Sequence, residues 1–226
     1  MDIRDQETGV SDDRSVLARP GQKTRSKSPF SAKHAFFFVL GLMTLFVLYH
    51  NERFFIDRSS GTWKFFYPVF GRLMVHALGG ATALILGALQ FSTRLRQRHP
   101  EIHRLCGRCY VAGVLVAAPM ATYLSFTHGI RTMATETTVQ STLWALTTVM
   151  ALRAARERSF VIHQQWAMRS YAVTLIFVVN RVILALPDTP TTDAGAERLT
   201  WTLVVCALVV PQLIINWHQL FPQNGR

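Results

Sequence analysis

Between His34 and Trp217 the apolar residues fall into six blocks, at about His34 to Tyr49, Val69 to Ser92, Cys109 to Thr127, Thr137 to Leu152, Ser170 to Leu186 and Leu199 to Trp217. A helix crossing a hydrocarbon core about 30 Å thick needs about 20 such residues at roughly 1.5 Å each. Soluble helices instead carry their apolar residues as a periodic stripe. The blocks therefore predict an all-α polytopic membrane protein, a bundle of about six transmembrane helices over residues 34–218. The fourth block is the weakest, being short and rich in threonine. Only 16% of the chain is charged and half is hydrophobic, which agrees with that class.

The formal charge of +11 raises the question of nucleic acid, but its distribution points elsewhere. Counting from the N-terminus and alternating sides at each block, one side holds seventeen Lys and Arg in its loops and the other five. That asymmetry is the positive-inside signal and predicts both termini in the cytoplasm. Residues 1–33 mix five acidic with seven basic residues, include Pro20, Gly21 and Pro29, and lack apolar periodicity. They are expected to form a disordered cytoplasmic arm, with 219–226 a short cytoplasmic tail. Lys23, Arg25, Lys27 and Lys33 suit the anionic headgroups of the bilayer. Nucleic acid is not an expected partner, because no aromatic interleaving or folded basic face accompanies them.

Within the second block Arg72, His76, Gly80, Ala83, Gly87 and Gln90 recur at spacings of three and four and share one helix face. An ionisable residue inside a span usually faces the bundle interior and finds a partner there, which makes His76 a functional candidate. The plain alternative is that the glycines admit a neighbouring helix and His76 makes one interhelical hydrogen bond.

After this block comes Arg94-Leu-Arg-Gln-Arg-His-Pro-Glu-Ile-His-Arg-Leu-Cys-Gly-Arg-Cys-Tyr110, and the fifth block opens with a parallel passage, His163-Gln-Gln-Trp-Ala-Met-Arg-Ser-Tyr171. Both set a histidine before a span, an arginine after it and a tyrosine where the helix enters lipid. His103 and His163 are expected at equal depth, with Arg104, Arg108 and Arg169 around them and Gln90 arriving from the second span.

At these residues the chain resembles the bacterial multi-pass membrane family catalogued as domain of unknown function 2306. The likeness covers about residues 70–185 and rests on the histidine and glycines of the second span, Gln90-Phe91, His103-Arg104, Gly107-Arg108-Cys109-Tyr110 and His163-Gln164-Gln165-Trp166-Ala167-Met168-Arg169. The family pattern has His-Arg where this chain has His163-Gln164. The resemblance implies a bacterial inner membrane protein and assigns no activity. Histidines arranged on a helical bundle are similar to those of di-haem b cytochromes and ferric-reductase-like proteins.

Three readings of the candidate residues follow. The first is haem b binding with transmembrane electron transfer, to or from a quinone or other redox partner. Haem iron takes one imidazole from each of two helices at one level, and arginines suit the propionates. His103 and His163 match in depth. His76 and His128 do not, since His76 lies about six residues, roughly 9 Å, inside the boundary. The second is a non-redox transporter or lipid-interacting protein with an anion-binding cavity, because Arg72 and Arg181 are the only formal charges within the six blocks and no acid accompanies them there. The third is zinc on His99, His103, Cys106 and Cys109. A c-type haem motif is excluded, since Tyr110 follows Cys109. No phosphate-cradling loop, nucleophile elbow or paired carboxylate supports hydrolysis.

Overall fold

The computed structural model describes residues 32–128, 133–187, 189 and 192–220. The N-terminal arm up to Ser31 and the tail beyond Leu220 lie outside them. Eight α-helices make up the described fold: α1 (Ala32–His50), α2 (Gly61–Phe66), α3 (Phe70–Gln90), α4 (Thr93–Arg98), α5 (Pro100–Thr127), α6 (Ala134–Arg156), α7 (Phe160–Leu184) and α8 (Asp193–Leu220). The six long ones fall on the six apolar blocks.

Four stretches, Gly61–Gln90, Pro100–Thr127, Phe160–Leu184 and Asp193–Trp217, are long and apolar enough to cross a membrane. The apolar helix from His34 to His50 is shorter, and α6 falls short by polarity rather than length. The reason is its position. α6 packs on α5, α7 and α8, and Glu136, Ser141, Thr147 and Thr148 are buried along it, so these polar side chains are spent inside the bundle, while the exposed Thr142 bonds back to the Thr138 carbonyl. Thr147 and Thr148 also bond back to carbonyls of the preceding turn.

Local chemistry sets the helix ends. α5 begins with Pro100, whose missing N–H is no loss in a first turn, followed by Glu101, which the helix dipole favours there. α6 ends with Arg153 and Arg156 in its last turn. Beyond them Arg158 takes the left-handed conformation (φ 60°), and the Ser159 and Arg158 N–H groups bond to the Ala154 and Ala155 carbonyls. This closing motif returns the chain directly into α7 and brings His163 beside the end of α6. Pro119 and Pro211 stand inside α5 and α8 without ending either helix.

The tightest seam is between α3 and α5. A Cβ built on Gly79 would stand 2.8 Å from the Gly113 carbonyl oxygen, and one on Gly113 2.7 Å from that of Gly79. The backbones touch, as small residues permit inside a bilayer. The face predicted to run through Gly80 therefore runs through Gly79; Gly80 has open space where a side chain would go. Gly87 meets the rings of Tyr171 and Tyr110 in the same manner.

Candidate functional site

The helix ends at Gln90, Pro100, Arg156 and Phe160 together form one basic end of the bundle, with Arg94, Arg96, Arg98, Arg104, Arg108 and Arg156 around it. A cavity of about 550 Å³ opens there between α3, α5, α6 and α7. That volume suits a drug-sized or cofactor-sized ligand. His103 and Gln90, Arg104, Arg108 and His163 all line it, joined by Arg156 of α6. The two imidazoles enter this one cavity from α5 and α7.

His163 and Gln90 are held by backbone carbonyls. His163 Nδ1 donates to the Ala151 carbonyl at 2.9 Å, which leaves its Nε2 as the free ring nitrogen. The Nδ1 of His103 is buried without a hydrogen-bond partner among the described residues. Gln90 donates to the His103 carbonyl at 3.3 Å, tying α3 to the first turn of α5.

The inner wall is aromatic and hydroxylic. Tyr110 Oη lies 2.6 Å from Ser170 Oγ and 3.0 Å from Thr174 Oγ1; Thr148 Oγ1 is 2.7 Å from Ser170 Oγ; Trp144 Nε1 donates to Thr174 Oγ1 at 2.9 Å. Every member of this network is buried. It pins α5, α6 and α7 together in one register, because each buried hydroxyl left without a partner would cost about 1–3 kcal/mol. Tyr171, donating to the Leu84 carbonyl, closes the side toward α3.

Other residues expected at the site lie elsewhere. His76 donates Nδ1–H to the Ala117 carbonyl at 2.9 Å. It stands fourteen residues from Gln90 on the same helix, about 21 Å away along the axis, so it does not converge with His103 and His163. Arg169 lies 4.8 Å over the Trp166 ring and donates to Gln212 on α8, away from the cavity. Arg72 rests over Tyr123 at 5.3 Å and Arg181 over Phe177 at 5.6 Å, both at the opposite end. His128 bonds the Phe65 carbonyl and packs on the Phe65 and Phe66 rings.

The zinc reading is corrected. Cys106 is half-buried and Cys109 exposed, both free, and among the described residues no group of three His, Cys, Asp or Glu is placed to hold a metal ion. His99 precedes α5 and Cys109 lies nine steps beyond Pro100 within it, about 14 Å along the axis, too far for the four to converge on one ion.

Two acids missing from the sequence expectation accompany the opposite end. Glu52 lies within electrostatic reach of Arg181: burial holds its carboxyl above the usual range, and the guanidinium works against that shift. Glu136, one residue before the fourth block, is 1% exposed in the first turn of α6, and neither carboxylate oxygen has a hydrogen-bond partner among the described residues. Since Thr148 meets Ser170 and Trp144 meets Thr174 along antiparallel α6 and α7, Glu136, about two turns further on, comes level with Arg181. Enclosing such a group without a donor is costly. Glu136→Met, which keeps the shape and removes the polar atoms, is expected to raise thermal stability in detergent, by about 1–3 kcal/mol. A fall would mean that the carboxylate is paired.

The family described as predicted membrane protein (DUF2306) matches residues 73–219, well over half of the chain. No curated protein and no solved structure matches it.

Proposed function

The chain belongs to the DUF2306 family of predicted membrane proteins, and on that premise we propose that it holds haem b in the cavity at its basic end, between His103 and His163, and passes electrons to or from a quinone or a redox protein. One observation carries this reading: imidazoles from two different helices, α5 and α7, open into one cavity that Arg104, Arg108, Arg156 and Gln90 also line, together with the hydroxyl-bearing Tyr110, Thr148 and Tyr171. Haem bound there supplies a one-electron carrier.

The chain's own residues do the remainder. The Ala151 carbonyl fixes the His163 tautomer and ring direction, as carbonyls do for ligating histidines generally. Arg104, Arg108 and Arg156 at the mouth suit two carboxylates through charge-assisted, forked hydrogen bonds. Tyr110 and Tyr171 supply an aromatic wall that keeps water from the inner side. By the positive-inside rule the basic end faces the cytoplasm of a bacterial inner membrane, with six spans and both termini on that side. The electron exchange we propose is confined to that face, since among the described residues His76 shares its polar atom with Ala117 and no second imidazole.

The test is the visible spectrum of protein purified from haem-replete cells. About one haem per chain with a Soret band that shifts on reduction is expected. A colourless protein that also fails to take up added haem would overturn the reading. That outcome would favour a non-redox anion-binding cavity, for which the three arginines, with no acid in the lining among the described residues, are the supporting feature.

A further inference from the structure

α1 packs mainly on α7, and its side toward α3 is left apart from it by a groove of about 920 Å³. Leu40 and Leu45 stand on one wall, Leu84 and Ala88 on the other, and at the basic end the groove closes on Ser92 and Arg94. We propose that this groove binds one anionic phospholipid of the leaflet at the basic end, with an acyl chain between α1 and α3 and the phosphate on Arg94 and Ser92.

Three observations choose the occupant. Along α1 the lining runs from His34 to Leu45, eleven steps or about 16 Å, which is the depth of about half a hydrocarbon core and so of one chain in one leaflet. The apolar walls adjoin lipid-facing side chains, Leu45, Ile85 and Leu89 being exposed, so a hydrocarbon chain enters sideways from the bilayer and water has no reason to remain. The polar end is cationic: Arg94 is exposed there, the Ser92 hydroxyl accepts from the Leu95 N–H and keeps its own hydrogen to donate, and the lining among the described residues contains no Asp or Glu. Guanidinium and hydroxyl suit a phosphate.

The bound lipid also bears on the histidine cavity. Tyr171 lines both spaces, and its ring stacks obliquely on Phe91 at 5.3 Å. A chain in the groove therefore supports the far side of the wall that closes the cavity. The lipid site does not depend on the haem reading, and the two fail separately.

Native mass spectrometry of the full chain in detergent tests it, with phosphatidylglycerol and phosphatidylethanolamine offered in equal amounts. One phosphatidylglycerol per chain is expected to survive delipidation. Arg94→Gln should lower its retention about tenfold, the loss of one charge-assisted contact. Ala88→Trp, which fills the groove, should abolish it, and Leu45→Trp serves where the former fails to fold by circular dichroism. Millimolar inorganic phosphate should leave the lipid in place. Equal retention of both lipids, a neutral quinone in their place, displacement by inorganic phosphate, or undiminished retention by the variants would each overturn the proposal.

Discussion

Gly113→Leu is expected to abolish the folded protein, and the reason is confined to a single crossing. At Gly79 and Gly113 the backbones of α3 and α5 are in contact, so a Cβ at either position meets a carbonyl oxygen of the other helix inside 3 Å. A backbone atom cannot rotate away as a side-chain tip can. Gly113→Ala must part the helices by several tenths of an ångström and should cost about 1–3 kcal/mol. Leucine adds three carbons in the same direction, toward Thr82 and Ala83, and the loss should exceed that range. The separation would break the His76–Ala117 and Gln90–His103 bonds at either end of the seam. Gly80→Ala is the matched control: it meets open space and gains helix propensity of about 1 kcal/mol. Thermal unfolding in detergent checks all three, and equal melting of the Gly80 and Gly113 alanine variants would refute the close crossing.

The second large effect is expected at the histidines. His163→Ala removes the free Nε2 and also the bond from Nδ1 to the Ala151 carbonyl. A stability loss of about 1 kcal/mol from the hydrogen bond is expected, together with a loss of haem affinity of at least about a hundredfold. Outer-sphere changes alone commonly cost about 10–100-fold at metal sites. His103→Ala should leave stability nearly unchanged, because its buried Nδ1 has no partner to forfeit among the described residues, while lowering haem affinity as much. That contrast separates an iron ligand from a packing residue. His76→Ala should cost stability and spare haem, because its partner is Ala117 and it lies well away from the cavity.

Much of this fold is legible in the residues alone. Uninterrupted apolar runs announce helices through a mechanism that needs no tertiary information, since lipid forces every backbone group to pair within its own segment. All six long helices were legible for that reason. The convergence of His103, His163, Gln90, Arg104 and Arg108 was legible too, because parallel placement before two spans fixes their depth. Rotation about each helix axis was not. Arg169 has the right depth and faces α8; Gly79, rather than its neighbour Gly80, turned out to meet α5.

Nor was the contribution of α6 legible. Its threonines read as a weak span, yet a helix too polar for lipid has to be central, and Thr148, Ala151 and Arg156 supply a whole wall of the cavity. The same signal could have pointed to Glu136, which falls one residue outside the apolar block and inside the helix. Arg156 counted only as a loop charge, although the turn at Arg158 carries it to the rim.

The central proposal is that His103 of α5 and His163 of α7, which line one cavity, act on one guest together. The direct measurement is a haem titration of the purified wild type and of the His103→Ala/His163→Ala double variant, followed at the Soret band and by electron paramagnetic resonance. Saturation at about one haem per chain with a low-spin ferric signal, absent from a double variant that keeps its helical circular dichroism, is the predicted result. Wild type that binds no haem, or a double variant that binds it unchanged, would contradict the account.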